Sequence, residues 1–350
     1  MSIEDEGGEA APEGGPLDHF RTIAAELERN QKGGYCDKVR YRIVFKEAAT
    51  PFYEIDNIED VLLVIKDALR TLRCTHKAGW VHRVFSIGNV YLYKDPVTQE
   101  KKGIIGDFEY TIEAGTDGQR SVRTKGTPDF MAVEVANQLH IVINHGGKRV
   151  VDYRRWKENR KKTLKSINTS RGIYYNYIHD LESIWWIAVW ALFNFEKRHA
   201  RADEIDLLAA YERKINRDLL FSGIIGNLNR NKFFRVNSTY TQATRCLPKY
   251  FDDFSLTLMT IAEAIKDSYV EKELCGVTNI SWDEKSTIHD IFIELLDEVE
   301  MGKFEIVYIQ TPTTGGIPST TKPTNDIRTN RILSEKIRGK ETVSRKFENF

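Results

Sequence analysis

The stretch WVHRVFSIGNVYLY, residues 80–93, carries residue types that could do chemistry. His82 and Arg83 are followed by Val84 and, five residues after the valine, by Asn89; GDFEY then supplies Asp107. A loop asparagine and a later aspartate in this order suit phosphoryl transfer. In such sites both hold magnesium against the phosphates, and a loop aspartate orients the attacking hydroxyl. Val84 stands where that last aspartate would be. A branched hydrocarbon neither takes up a proton nor hydrogen-bonds a hydroxyl, and no other ionisable residue of the loop is an evident replacement.

Alone, HRVxxxxN is a weak signal, because a His-Arg pair after an apolar helix is usually structural. Two further phrases strengthen it. GTPDFMAVE, Gly126 to Glu134, falls where a kinase activation segment would end, with Glu134 at the Glu of an Ala-Pro-Glu signature. HDLESIWWIAVW then places Asp180 at the start of an apolar helix. In order, spacing and local pattern the chain resembles protein kinases, and most closely the fungal-type protein kinase family found especially in mushroom-forming fungi. The resemblance runs from about Arg40 to Phe193 through RYRIVFKE, AGWVHR, SIGN, GDFEY, GTPDFMAVEV and HDLESIWWIAVW, and is looser in the helices beyond.

The resemblance implies a protein-kinase-like large lobe, α+β but mainly helical, with a hinge strand and a remnant small lobe. It implies ATP and magnesium as cofactors, held by Asn89 and Asp107. His82 and Arg83 would brace the loop, Asp180 would bond its backbone, and Glu134 would hold the fold, one of these last two through an arginine. Ser86, in place of the usual kinase lysine, and Glu109, in place of a glycine, fit the family pattern; Val84 departs from it.

Several elements must position these residues. VRYRIVF alternates as a strand and would lead into the hinge near Lys46 to Ala48. NIEDVLLVIKDALRTLRCTHKAG reads as a helix capped by Asn57 and stopped by Gly79, with Val61, Ile65, Ala68 and Leu72 on one stripe. It delivers the chain straight into the His-Arg loop. NVYLY and GIIGDFEY then form a hairpin around KDPVTQEKK, and HDLESIWWIAVWALF is apolar nearly all round, as a central buried helix is. Amphipathic helices over DEIDLLAAYERKI, 250–269 and STIHDIFIELLDEVE should pack around it.

In kinases a strand like VRYRIVF closes the small lobe, yet the residues ahead of it contain neither GxGxxG nor a Val-Ala-Ile-Lys-like strand. GGEAAPEGG lacks flanking apolar strands, and neither Lys32 nor Lys38 has a strand and partner helix to support it as a phosphate-binding lysine. Residues 1–34 are expected to form a disordered acidic Gly/Pro-rich terminus. The kinase-like domain is expected over 35–305, with a basic insertion at 145–172, and 306–350 as a Ser/Thr/Pro-rich and basic tail. Lys+Arg and Asp+Glu balance at 51 each, so no global field selects nucleic acid or an anionic membrane as partner. The four cysteines form no metal-ligand spacing, and the acidic N-terminus is unlike a signal peptide. An intracellular protein with a protein substrate or partner is expected. Two readings stay open: a protein Ser/Thr kinase, or a noncatalytic pseudokinase acting through its surface.

Overall fold

The computed structural model describes residues 48–114, 126–138, 173, 175–199, 206–274 and 287–309. The expected strand VRYRIVF, both candidate lysines and the segments 1–34 and 145–172 lie outside these. The chain runs β1 (Ala49–Pro51), α1 (Ile58–Lys77), β2 (Trp80–Val81), β3 (Val90–Lys94), β4 (Lys101–Ile105), β5 (Ile112–Glu113) and α2 (Val133–Asn137). It continues through α3 (Tyr177–Asn194), β6 (Phe195–Lys197), α4 (Leu207–Leu220), α5 (Leu228–Arg235), α6 (Asn237–Thr244), α7 (Asp252–Leu274), α8 (Ile288–Asp297) and β7 (Ile306–Tyr308). The described part is thus mainly helical with small sheets, compatible with the α+β class. None of its helices is long and apolar enough to cross a membrane.

Helix α1 forms for the reasons its sequence advertises. The Asn57 side chain accepts the Glu59 N–H at 2.8 Å, Glu59 and Asp60 sit in the positive first turn, and Gly79 leaves the helix at φ 84°. Its stripe of Val61, Ile65, Ala68 and Leu72 is buried. The outer side of α1 receives the hairpin, in which β3 and β4 pair antiparallel from Val90↔Ile105 to Lys94↔Lys101. Gly103 is the point of closest approach: a Cβ there would meet the Val64 Cα and carbonyl oxygen and the Asp67 Cβ at 2.9 Å. Its own N–H donates to Asp67 Oδ2 at 2.8 Å. β1 adds to the free edge of β3, with Pro51 opposite Tyr91 at an edge where a missing N–H is tolerated.

Helix α3 is buried along all of its 18 residues and forms the axis of the domain. Trp185 donates its indole N–H to the Leu258 carbonyl at 2.7 Å, tying α3 to α7, and both Trp185 and Trp186 pack against Phe233 and Phe234 of α5. Phe251, Phe254, Leu258, Ile261 and Ile265 are all buried. At the far end, β6 pairs with β7 in the register Phe195↔Tyr308, so ordered packing extends past residue 305, where the domain was expected to end. Helix α4 departs from expectation in orientation: its buried side chains are Arg213, Arg217 and Leu220, while its leucine and isoleucine stripe faces outward.

Gly103→Ala should destabilise the domain by about 1–3 kcal/mol, because a methyl group must displace helix backbone rather than a flexible side chain. A urea midpoint within error of wild type would contradict that packing.

Candidate functional site

The loop between β2 and β3 opens with a three-residue turn. The Val84 N–H donates to the His82 carbonyl at 3.0 Å, and Arg83 between them has φ 73°. This is the sign of φ found in a strained γ-turn, one that a bulky residue adopts only when its surroundings enforce it. The enforcement comes from Asp180 in the first turn of α3. Its Oδ2 accepts the His82 N–H at 2.7 Å and its Oδ1 accepts the Arg83 N–H at 2.9 Å. His76, at the end of α1, lies 2.9 Å from the same Oδ2 through Nε2, and its Nδ1 lies 2.8 Å from His289 Nε2 of α8.

Burial of Asp180 acts to raise its pKa, but the His76 bond and the charge of His76 and His82, with the backbone donors, outweigh it and hold the carboxyl below its ordinary range. The helix N-terminus, where Asp180 sits, favours the same anionic form. His289 shifts the other way for a base: burial first, then the neighbouring His76 and Arg73, push its pKa down to about 3, so it is neutral at physiological pH.

The same turn of α3 holds the Gly126–Asn137 segment. His179 Nδ1 accepts the Asn176 N–H at 3.2 Å, so Nε2 carries the proton and donates it to Glu134 Oε2 at 3.1 Å. Glu182 accepts the Val133 N–H at 2.8 Å, the Tyr269 hydroxyl at 2.7 Å and the Trp186 indole at 3.0 Å. Burial raises its pKa and these neutral donors offset only part of the rise. A buried arginine braces the same segment. Arg230 donates to the Pro128 and Met131 carbonyls at 2.6 and 2.9 Å, with its guanidinium 4.1 Å over the Trp186 ring. Burial lowers its pKa to about 10, which leaves it cationic at neutral pH.

Asn89 and Asp107 come together at the open end of the hairpin. Gly106, just before Asp107, donates its N–H to the Asn89 carbonyl at 2.8 Å. Asn89 Nδ2 donates to the Val84 carbonyl at 2.8 Å, which turns the amide's Oδ1 away from that bond as a free acceptor end. Asp107 is exposed at φ 61°, a conformation aspartate tolerates better than most residues, and its carboxylate makes no capping bond. His82 Nε2 bonds the Gly106 carbonyl at 2.9 Å, and its ring meets Phe85 and Phe108 edge-on. Arg83 lies with its guanidinium 5.1 Å over the Tyr175 ring. Ser86 is buried and its carbonyl accepts the Asn89 N–H. Val84 is half-buried in the middle of this arrangement, bonded only through its backbone.

One amide oxygen and one carboxylate oxygen are hard donors of the kind magnesium takes from a protein while keeping its other positions for phosphate and water. The residues present therefore fit that ion. Among the described residues no cluster of three or more His, Cys, Asp or Glu side chains could hold a metal by itself.

The chain belongs to the fungal protein kinase family, whose match covers residues 8–192, more than half of its length. A comparison with curated proteins finds no match.

The positioning residues His76, His179, Glu182, Arg230 and His289 escape sequence reasoning. Glu182 follows Asp180 by two in a phrase that reads as apolar helix, and nothing in the periodicity marks a charge there as buried.

Asp180→Ala should cost about 1–3 kcal/mol, since it strands the His82 and Arg83 N–H groups in the interior. An unchanged unfolding midpoint would contradict this anchoring. His289 yields a pH dependence. Its folded pKa lies below the ordinary value near 6.5. Its contribution is therefore complete above about pH 6.5 and is lost as pH falls toward the folded value, with a slope approaching about 1.4 kcal/mol per unit. Stability measured from pH 7 to 5 should fall less steeply in His289→Gln than in wild type.

Proposed function

We propose that this chain is a kinase-family protein that has kept the loop and metal-facing residues of a phosphotransferase but not its chemistry, and that it acts as a noncatalytic pseudokinase. The observation that carries this reading is Val84. Its side chain sits in a loop that keeps His82, Arg83 and Asn89, and it supplies no acceptor for a hydroxyl proton. His82 Nε2 is engaged by the Gly106 carbonyl, and the Arg83 guanidinium, over the Tyr175 ring, is no proton acceptor. Losing a positioned base lowers a rate by typically 10²- to 10⁴-fold.

ATP and magnesium are the cofactors this reading implies. Asn89 and Asp107 would hold the ion, which when bound neutralises phosphate charge and aligns the nucleotide. The chain's own contribution is to orient: Val84's carbonyl fixes the Asn89 amide, and His82 fixes Gly106 ahead of Asp107. The competing reading, an active protein Ser/Thr kinase, draws on the same two residues and on the family, and differs in requiring transfer.

The test follows labelled phosphate from MgATP into generic protein substrates and into the chain itself, for wild type and Asp107→Ala, alongside melting with and without MgATP. Wild type should show background incorporation. Any MgATP stabilisation, which grows as RT ln(1 + [L]/Kd), should vanish in Asp107→Ala. Incorporation that Asp107→Ala abolishes would instead establish an active kinase.

A further inference from the structure

Strand β7 has one edge that the fold leaves unfinished. The Arg198 N–H donates to the Glu305 carbonyl and the Ile309 N–H to the Asn194 carbonyl, both at 2.8 Å, so residues 305, 307 and 309 turn their backbone groups toward β6. Backbone groups alternate in direction along an antiparallel strand, and those of Ile306 and Tyr308 therefore point the other way. On that side the Ile306 N–H donates to the Asp56 carbonyl at 2.8 Å and the Ile58 N–H to the Phe304 carbonyl at 3.3 Å, with a bridge between Asn57 and Glu305. Residues 56–58 thus lie along 304–306 as a short third strand. The next rung in this register sets Glu54 opposite Tyr308. It does not form, because Phe52–Glu54 coil into a single 3₁₀ turn, closed by the Ile55 N–H on the Phe52 carbonyl.

Where the ladder stops, a cavity of about 360 Å³ opens, with Tyr53, Glu54, Asp56, Arg198, Val307 and Tyr308 among its walls. Tyr308 is fixed by its ring, stacked 5.3 Å from that of Trp190 in α3, while its N–H and carbonyl have no partner among the described residues. A strand edge with an unpaired donor and acceptor is a template for another extended backbone. The charges at the opening say of which kind. Arg198 is turned to Glu305, Nε to Oε2 at 3.6 Å. The exposed Glu54 and Asp56 side chains, by contrast, enter no hydrogen bond or ion pair among the described residues.

We propose that this notch docks an extended, lysine- or arginine-bearing segment of a partner protein, which adds as a strand at Tyr308 and sets its cations against Glu54 and Asp56. The added strand supplies the missing rung: Tyr308 donates its N–H to a peptide carbonyl and its own carbonyl accepts a peptide N–H. Side chains of the added residues alternate between the two faces of the sheet. Apolar ones beside the cations meet Val307 and Tyr53, which are 44 and 37% exposed. One backbone rung contributes little net affinity, so the two carboxylates select the partner. None of the loop residues takes part, and the proposal is independent of nucleotide binding.

The experiment is fluorescence anisotropy of a labelled peptide, Thr-Val-Lys-Val-Lys-Val-Thr, titrated with the full chain. Saturable binding should appear below about 1 mM, the weak end expected of a small interface. The chain carries no formal net charge, so a cationic peptide gains no general attraction to it. Two further peptides, N-methylated at the valines or at the lysines, separate strand addition from charge alone. Only alternate N–H groups face the edge, so one of the two should lose binding and the other keep it. Glu54→Lys with Asp56→Lys should weaken the parent peptide more than about tenfold and take up Thr-Val-Glu-Val-Glu-Val-Thr instead. Because neither side chain is bonded within the chain, the melting temperature of this variant should stay as in wild type. Absence of saturable binding, equal binding of both methylated peptides, or indifference to the charge exchange would overturn the proposal. So would wild type that binds the glutamate peptide as tightly as the lysine one.

Discussion

The Asp180 carboxylate is the interaction on which the site depends. It is buried, ionised and bonded on both oxygens, and what it bonds is backbone and a histidine from elsewhere in the chain. An ionised carboxylate in the interior is costly unless its donors are numerous and well placed. Here three donors meet it at the N-terminal end of a helix, where the peptide dipoles favour negative charge. The arrangement works in both directions: the loop satisfies the carboxylate, and the carboxylate holds Arg83 in a backbone conformation it would not take unaided. Removing either side leaves the other as a buried, unpaired group.

Asp180 is one of several polar residues crowded into the start of an otherwise apolar helix. Within seven residues Asn176 caps α3, His179 reaches Glu134, Asp180 reaches the loop, and Glu182 reaches Val133. Segments distant in sequence are thus referenced to one rigid turn, whose own position is set by the aromatic packing around Trp185 and Trp186. The two carboxylates show how environment decides ionisation. Asp180, met by two backbone donors and a histidine, is held below the usual range. Glu182, met by one backbone donor, a phenol and an indole, is pushed above it.

Much of this was legible in the sequence because its signals are local. The caps of α1, its buried stripe, the hairpin that carries Asn89 and Asp107 together, and the all-round burial of α3 each follow from spacing within one segment. What was not legible depends on contact between segments. The β6–β7 pair joins residues more than a hundred positions apart, and neither three-residue strand carries a periodic signal of its own. Gly103 reads as an ordinary strand glycine until α1 is seen against it. The orientation of α4 could not be read from its hydrophobic pattern at all, because the pattern marks an apolar face without saying what lies beneath the opposite one. The carbonyls at the end of α3 need donors, and arginine stems can cross an apolar contact to reach them.

The same geometry explains why Val84 is tolerated. The bonds that shape the loop run through backbone groups of residues 82–84, 86, 88, 89 and 106, or through the side chains of Asp180, His82, Asn89 and Tyr91; none uses the side chain at position 84. Exchanging a carboxylate for a hydrocarbon there removes a proton acceptor without removing a structural bond, and a half-buried valine pays no desolvation penalty. The bonds that hold the loop and the side chain at position 84 are therefore carried by different atoms, and the fold of the loop does not depend on that side chain.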